Sequence, residues 1–215
     1  EIVRLAQKFG ARTLVDDAHS NGVLGERGRG TAEYFGLTDQ VDLIMNTFSK
    51  TLASLGGCVA GSEEVIHYIK HNARPFIFSA SIAPAQIGAA REALRILEIE
   101  PQRVRRLNEI AAYMKRGLQT LPQVHIHDSG NDLVPIIPVL TGTVGRTLVT
   151  ARVLLENGVY VNPVLPPAVA MESCLLRTSY TATHTQAQLD EGLAIFDAVT
   201  RALADNTEID FDFNF

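Results

Sequence analysis

The sequence has little that would tie it to a membrane, to nucleic acid or to an oxidising compartment. Cysteine occurs only twice, at Cys58 and Cys174. An isolated pair makes no disulfide framework and fits a reducing, cytoplasmic setting. No apolar run approaches the roughly 20 residues of a membrane span. Positive charge is not in excess: the formal net charge is −5 with the signs interspersed, which argues against a nucleic-acid face. Metal-site patterns are also missing. His67 and His71 share a helix face without an HExxH pattern or a third ligand, and His125, His127 and Asp128 read as a solvated edge strand. The glycines from Gly22 to Gly30 fit neither the P-loop nor the dinucleotide fingerprint. An initiator methionine is absent as well. Glu1 to Gly10 reads as the end of an amphipathic helix stopped by Gly10, so the chain is expected to be a piece of a longer polypeptide.

What is present is enough apolar residue, 46% of 215, to bury a substantial core. The chain is organised around VDLIMNTFSKTLASLGG, from Val41 to Gly57. Val41, Leu43, Ile44 and Met45 predict a buried parallel strand, and a polar segment follows that ends at Lys50. Alone, Lys50 suits an ordinary strand exit with its head in water. Thr13, Leu14 and Val15 predict a second strand, which runs into Asp16, Asp17, Ala18 and His19. Ligands of open parallel sheets bind beyond the carboxyl ends of the strands, so two neighbouring strands would bring Asp16, His19 and Lys50 to one crevice. An amine that holds an aldehyde as an imine, beside a carboxylate that keeps a pyridine nitrogen protonated, is what pyridoxal 5′-phosphate requires. For Asp16 a turn or capping role is the alternative, and Asp17 keeps that reading.

The periodicity predicts further elements. Glu33–Leu37 reads as a helical turn, Cys58–Gly61 as a strand with Cys58 in the core, and Ser62–Asn72 as a helix capped by Ser62. Arg74 to Ser81 reads as strand and turn. Helices follow over Ala85–Ile99 and about Gln102–Leu121. A boundary near residue 100 separates a first domain, 1–100, from a smaller α+β domain over 101–205, with an acidic, aromatic tail at 206–215. In the smaller domain Val124–Asp128, Val134–Leu140 and Val159–Asn162 read as strands, and Arg146–Asn157 and His184 to about Ala204 as helices. Arg177, within the apolar strand Leu175 to Tyr180, calls for an anionic partner; a structural ion pair is the alternative to a ligand carboxylate.

Several segments resemble a known family. DDAHSNGVLGERGRG, then TFSK and GG, then RPFIFSASIAP, GVYVNPVLPPA and LLRTSYTATHT are similar, in this order, to the α-oxoamine synthases, with the serine palmitoyltransferase branch most alike. The resemblance implies the large domain of a fold-type-I, aspartate aminotransferase-like α/β enzyme with a mostly parallel sheet, plus the smaller carboxyl-terminal α+β domain. It implies pyridoxal 5′-phosphate bound to Lys50, with Asp16 on the ring nitrogen, His19 on the phenolic oxygen, and Thr47 and Ser49 on the phosphate. Ser79 would reach the phosphate of the partner in a homodimer with a composite site, and Arg177 would hold the amino-acid carboxylate. The implied substrates are an amino acid and an acyl-CoA: serine with a long chain first, alanine with a pimeloyl thioester second, glycine third. The implied product is an aminoketone like 3-ketosphinganine, as in sphingolipid biosynthesis. The Gly22–Gly30 stretch becomes a surface excursion near the site mouth and the dimer interface. Bacterial serine palmitoyltransferases carry an arginine before their PPA segment, and here that place is Leu165. An aminotransferase, or a non-catalytic partner subunit, is the other class; Lys50 argues against the latter.

Overall fold

The structure, a computed structural model, describes residues 1–128 and 130–205, and the expected tail at 206–215 lies outside them. The described residues divide into two compact units that meet between Arg105 and Arg106.

The first unit opens with α1 (Ile2–Phe9), ended by Gly10 at φ 65, a left-handed turn that glycine takes without cost. Next come β1 (Leu14–Asp16), the short helix α2 (Thr31–Tyr34) and a 3-10 turn over Thr38–Gln40. β2 (Leu43–Thr47) and β3 (Gly57–Gly61) complete a sheet of order β1-β2-β3. β1 pairs β2 in parallel, with Asp16 opposite Met45, whereas β3 runs antiparallel to β2. The strands are less buried than their composition suggests: β2 is half-buried throughout, and Leu14 on β1 is 59% exposed. In a three-stranded sheet both β1 and β3 are edges, so only β2 is flanked on two sides. Cys58 is correspondingly exposed on β3, against the core role expected for it.

α3 (Glu63–Asn72), α4 (Arg74–Ile77) and α5 (Pro84–Ile99) follow. Ser62 is the N-cap residue of α3, but its side chain makes no capping hydrogen bond. α4 corrects the strand expected over Arg74–Ser81. Pro75 sits in the first helical turn, where its fixed φ and missing N–H suit a helix. The amides of Phe76 and Ile77 both donate to Ala73 O at 3.0 Å, overriding the β preference of the Phe-Ile-Phe run.

α6 (Gln102–Thr120) leads into the second unit, a four-stranded antiparallel sheet of order β4-β5-β7-β6 with helices α7 (Val144–Glu156) and α8 (Gln186–Asp205). β4 is only His125–Ile126, β5 is Ile136–Gly142, and β6 is Asn162–Val164, later than the Val159–Asn162 expected. β7 (Cys174–Ser179) alternates strictly: Cys174, Leu176 and Thr178 are buried, while Leu175, Arg177 and Ser179 are not. The buried face packs into a cluster with Ile110, Met114, Leu118, Ile137, Val139, Leu154 and Phe196. Helix α7 starts at Thr143, whose hydroxyl accepts from Arg146 N.

Within this unit Lys115 is buried and bridges Asp128 at 2.5 Å and Asp132 at 2.6 Å. Asp128 first, then Asp132, holds the ammonium pKa above its usual range. Tyr180 is the opposite case. Its phenolic oxygen is buried with no hydrogen-bond partner among the described residues. Burial, partly offset by the neighbouring Thr178 hydroxyl, which lies outside good hydrogen-bond geometry, pushes its pKa up to about 12. An unfolded tyrosine titrates near 10, so above that pH the unfolded chain sheds a proton the fold retains, and stability falls towards pH 12. Tyr180→Phe is expected to flatten this fall and to leave the protein at pH 7 as stable or about 1 kcal/mol more so, because an unsatisfied hydroxyl is removed. Urea unfolding at pH 7 and pH 11 reads both effects, and an unchanged alkaline slope in the variant contradicts them.

Candidate active site

The carboxyl ends of β1 and β2 carry the residues singled out from the sequence. Because the two strands are parallel and in register, Asp16 ends β1 while Asn46, Thr47 and the segment to Lys50 leave β2 at the same rim. Asp16 is exposed, and one carboxylate oxygen accepts from Ala18 N at 3.0 Å. That bond is the turn role weighed as its alternative, and it leaves the second oxygen unengaged among the described residues. His19 lies in the turns that follow and is exposed.

Lys50 is exposed, with its head in water, and takes part in no ion pair among the described residues. Its backbone is tightly held. Phe48 N donates to Gly56 O at 2.8 Å, Ser54 N to Phe48 O at 2.7 Å, and Ala53 N to Lys50 O at 3.0 Å. Ala53 adopts φ 48, a left-handed conformation uncommon outside glycine, of the kind that collects at functional turns. Ser54 Oγ reaches Gln86 O at 2.7 Å and ties this turn to α5. The hydroxyls of Thr47 and Ser49 lie 2.9 Å apart beside the lysine, and Thr47 Oγ1 is 3.3 Å from Gly56 O. Two adjacent hydroxyls at a strand exit suit an oxyanion.

Two features escape the sequence reading. Asp17 is fully buried; it accepts from Ser20 Oγ and, at 3.1 Å, from Thr31 N, and its own amide donates to Met45 O at 2.9 Å. The stretch from Gly22 to Gly30 exposes Glu26, Arg27 and Arg29, as a surface excursion would, but its Gly22, Val23, Gly28 and Gly30 are buried. A Cβ on Gly30 would lie 2.5 Å from Asp17 Oδ2, and one on Gly22 would overlap Thr51 Cγ2. These glycines allow close packing of backbone against side chains. Sequence spacing alone does not reveal such pairwise fits.

The other two candidates are Ser79 and Arg177. Ser79 is exposed, in the bend after α4. Arg177 belongs to the second unit, on the face of β7 turned away from the buried cluster, flanked in register by Pro138 and Asn162. It is half-buried and its side chain makes no ion pair or hydrogen bond among the described residues, so the structural ion pair weighed for it is not found there. His71 Nδ1 lies 2.8 Å from His67 O, and among the described residues no group of three side chains is placed to hold a metal ion. A cleft of about 610 Å³, lined by Arg12, Asp42, Leu43, Ala60 and Val65, lies at the other end of the sheet, away from Lys50.

Comparison with known proteins decides the family. The profile for aminotransferase class I and II matches residues 1–196. The chain belongs to this family. The aminotransferase class I and II members similar to it include serine palmitoyltransferase from Sphingobacterium spiritivorum, 47% identical over 90% of this chain and 47% of that protein. They also include 8-amino-7-oxononanoate synthase from Alkaliphilus metalliredigens, 41% identical over 93% of this chain and 49% of that protein. The chain thus spans about half the length of the curated relatives it matches. Among solved structures, serine palmitoyltransferase from S. paucimobilis with bound PLP-myriocin aldimine superposes with a TM-score of 0.89 at 33% identity, covering 95% of this chain and 51% of that one. The Sphingomonas wittichii serine palmitoyltransferase gives 0.89 at 30%, again over 95% of this chain and 51% of that one. The fold-type-I expectation and the α-oxoamine synthase resemblance are both borne out.

Proposed function

We propose that this chain carries part of the catalytic machinery of a pyridoxal 5′-phosphate-dependent α-oxoamine synthase. Residues 1–100 are read as part of its cofactor domain and 101–205 as its smaller domain. The observation that carries this reading is the parallel register of β1 and β2, which sets Asp16 and the Lys50 segment at one rim. The donor set there fits the cofactor: among the described residues, a carboxylate with one oxygen unengaged, an amine in no ion pair, and a hydroxyl pair 2.9 Å apart.

When bound, pyridoxal 5′-phosphate supplies the electron sink that stabilises negative charge at the amino acid's α carbon. Asp16 would hold a proton on the pyridine nitrogen, His19 would hydrogen-bond the phenolic oxygen, and Thr47 and Ser49 would hold the phosphate with Ser79 of a second copy. Lys50 would hold the cofactor through its amine, and the same amine would serve as general base for the proton on the amino acid's α carbon. Arg177 grips the amino-acid carboxylate with its planar fork. The α carbon would then bond to the acyl carbon as the C–S bond breaks, CoA would leave as the thiol with the proton taken from the α carbon, and loss of the carboxylate as carbon dioxide, with a solvent proton taking its place on the α carbon, would give an aminoketone.

L-Serine with a long-chain acyl-CoA is the first substrate pair, supported by the similarity to serine palmitoyltransferases. L-Alanine with a pimeloyl thioester is second, supported by the 8-amino-7-oxononanoate synthases, and glycine is third. Leu165 stands where bacterial serine palmitoyltransferases carry arginine, which keeps the second pair in contention. The enzyme is read as a cytoplasmic homodimer; Cys58 and Cys174 are both free, and no helix among the described residues is long and apolar enough to cross a membrane. A free-thiol assay on the full-length protein tests the reaction. Thiol release requiring both amino acid and acyl-CoA is expected, and transamination of a keto acid without thiol release from any pair contradicts it.

A further inference from the structure

We propose that Thr51 is a positioning residue for Lys50, and that the loop held by buried Asp17 is the frame it acts against. The proposal rests on Lys50 being the cofactor-bearing amine.

Lys50 projects from a turn outside the sheet, so strand pairing does not fix its backbone. Three hydrogen bonds close that turn on itself, through Phe48, Ala53 and Ser54. They set its shape but not its place against the segment bearing Asp16 and His19. Thr51 supplies that link: its hydroxyl donates to Asn21 O at 2.7 Å. The acceptor is itself well held. Asn21 N donates to Asp17 O at 3.0 Å, and Gly22 N to Gly28 O at 2.7 Å. Asp17, fully buried, gathers Ser20 and Thr31 from the two ends of the loop. Buried Gly22 has no space for a side chain because the Thr51 methyl fills it. Thr51 therefore meets the His19 loop twice, through a directional hydrogen bond and through a methyl contact that only glycine permits. The residue next to the amine is thereby registered against the loop that carries the imidazole.

Thr51→Val keeps the methyl contact and removes the hydroxyl; Thr51→Ser does the reverse. In the full-length protein, pyridoxal 5′-phosphate is titrated and its lysine-bound visible band recorded across pH, with thermal stability measured in parallel. Thr51→Val is expected to weaken formation of the lysine-bound species about fivefold, the worth of one lost hydrogen bond. It is also expected to move the pH midpoint of the band by about 0.5 unit. Thr51→Ser is expected to stay within about twofold of the parent. Gly22→Ala, which forces Thr51 away from the other side, is expected to shift the band as Thr51→Val does. A purely structural Thr51 would lower the melting temperature and leave the band's midpoint and formation constant unmoved, and that result overturns the proposal. Absence of the band from the parent protein would instead refute the cofactor reading itself, so the two failures are distinguishable.

Discussion

Replacing Lys50 with alanine is expected to lower acyl transfer by the full-length protein by at least about 10³-fold, since general base catalysis alone contributes roughly 10²–10⁴. The residue is assigned two tasks, and both need a primary amine at one place. It anchors the aldehyde covalently, and it removes the α proton once the substrate has displaced it. Its exposure, with no ion pair among the described residues, leaves the amine accessible to an aldehyde. Lys50→Arg separates charge from nucleophilicity: it keeps the cation but not an amine that can lose its proton, and is expected to fall with the alanine variant. Steady-state thiol release with saturating substrates measures the loss. Near-parental turnover in the Lys50→Arg variant would show that charge, not nucleophilicity, is what the position supplies.

The second large effect is expected at Arg177. Its guanidinium is half-buried on β7 with no anionic partner among the described residues, an uncompensated charge that a substrate carboxylate would satisfy. Arg177→Ala is expected to cost roughly 2–4 kcal/mol of binding, about 30- to 1,000-fold in kcat/KM, mostly as a higher KM for the amino acid. Arg177→Lys is expected to recover only part of this, because an ammonium lacks the planar fork that meets both carboxylate oxygens. The KM for the acyl thioester should barely change. Kinetics with each substrate varied in turn provide the test: equal rises in both KM values, or a loss of thermal stability with neither changed, would return Arg177 to a structural role.

How much of this is legible in the sequence differs by element. The apolar runs ending at Asp16 and before Asn46 predict two parallel strands, because a short run of β-branched and aliphatic residues that breaks into polar groups marks a strand exit. The strand around Arg177 is legible too, but the face Arg177 takes is not, because Leu175 and Leu176 are both apolar and Thr178, though polar, is buried. What fails is local. The Phe-Ile-Phe run suggests a strand, but Pro75 in the first turn favours the helix Arg74–Ile77. Cys58 reads as core, yet it lies on an edge strand. The Asp17 hub and the Thr51 contact with Asn21 cannot be read at all. They depend on backbone turns at positive-φ glycines and on single side-chain fits, which leave no periodic trace in the sequence.

The central claim is that Lys50 holds the cofactor. The most direct measurement is the visible absorption spectrum of the full-length protein with pyridoxal 5′-phosphate, followed by borohydride reduction and peptide mapping. The account predicts a band in the parent protein, its loss in the Lys50→Ala variant, and the reduced pyridoxyl group on the peptide containing Lys50. A band that persists without Lys50, or a label on another lysine, would contradict it.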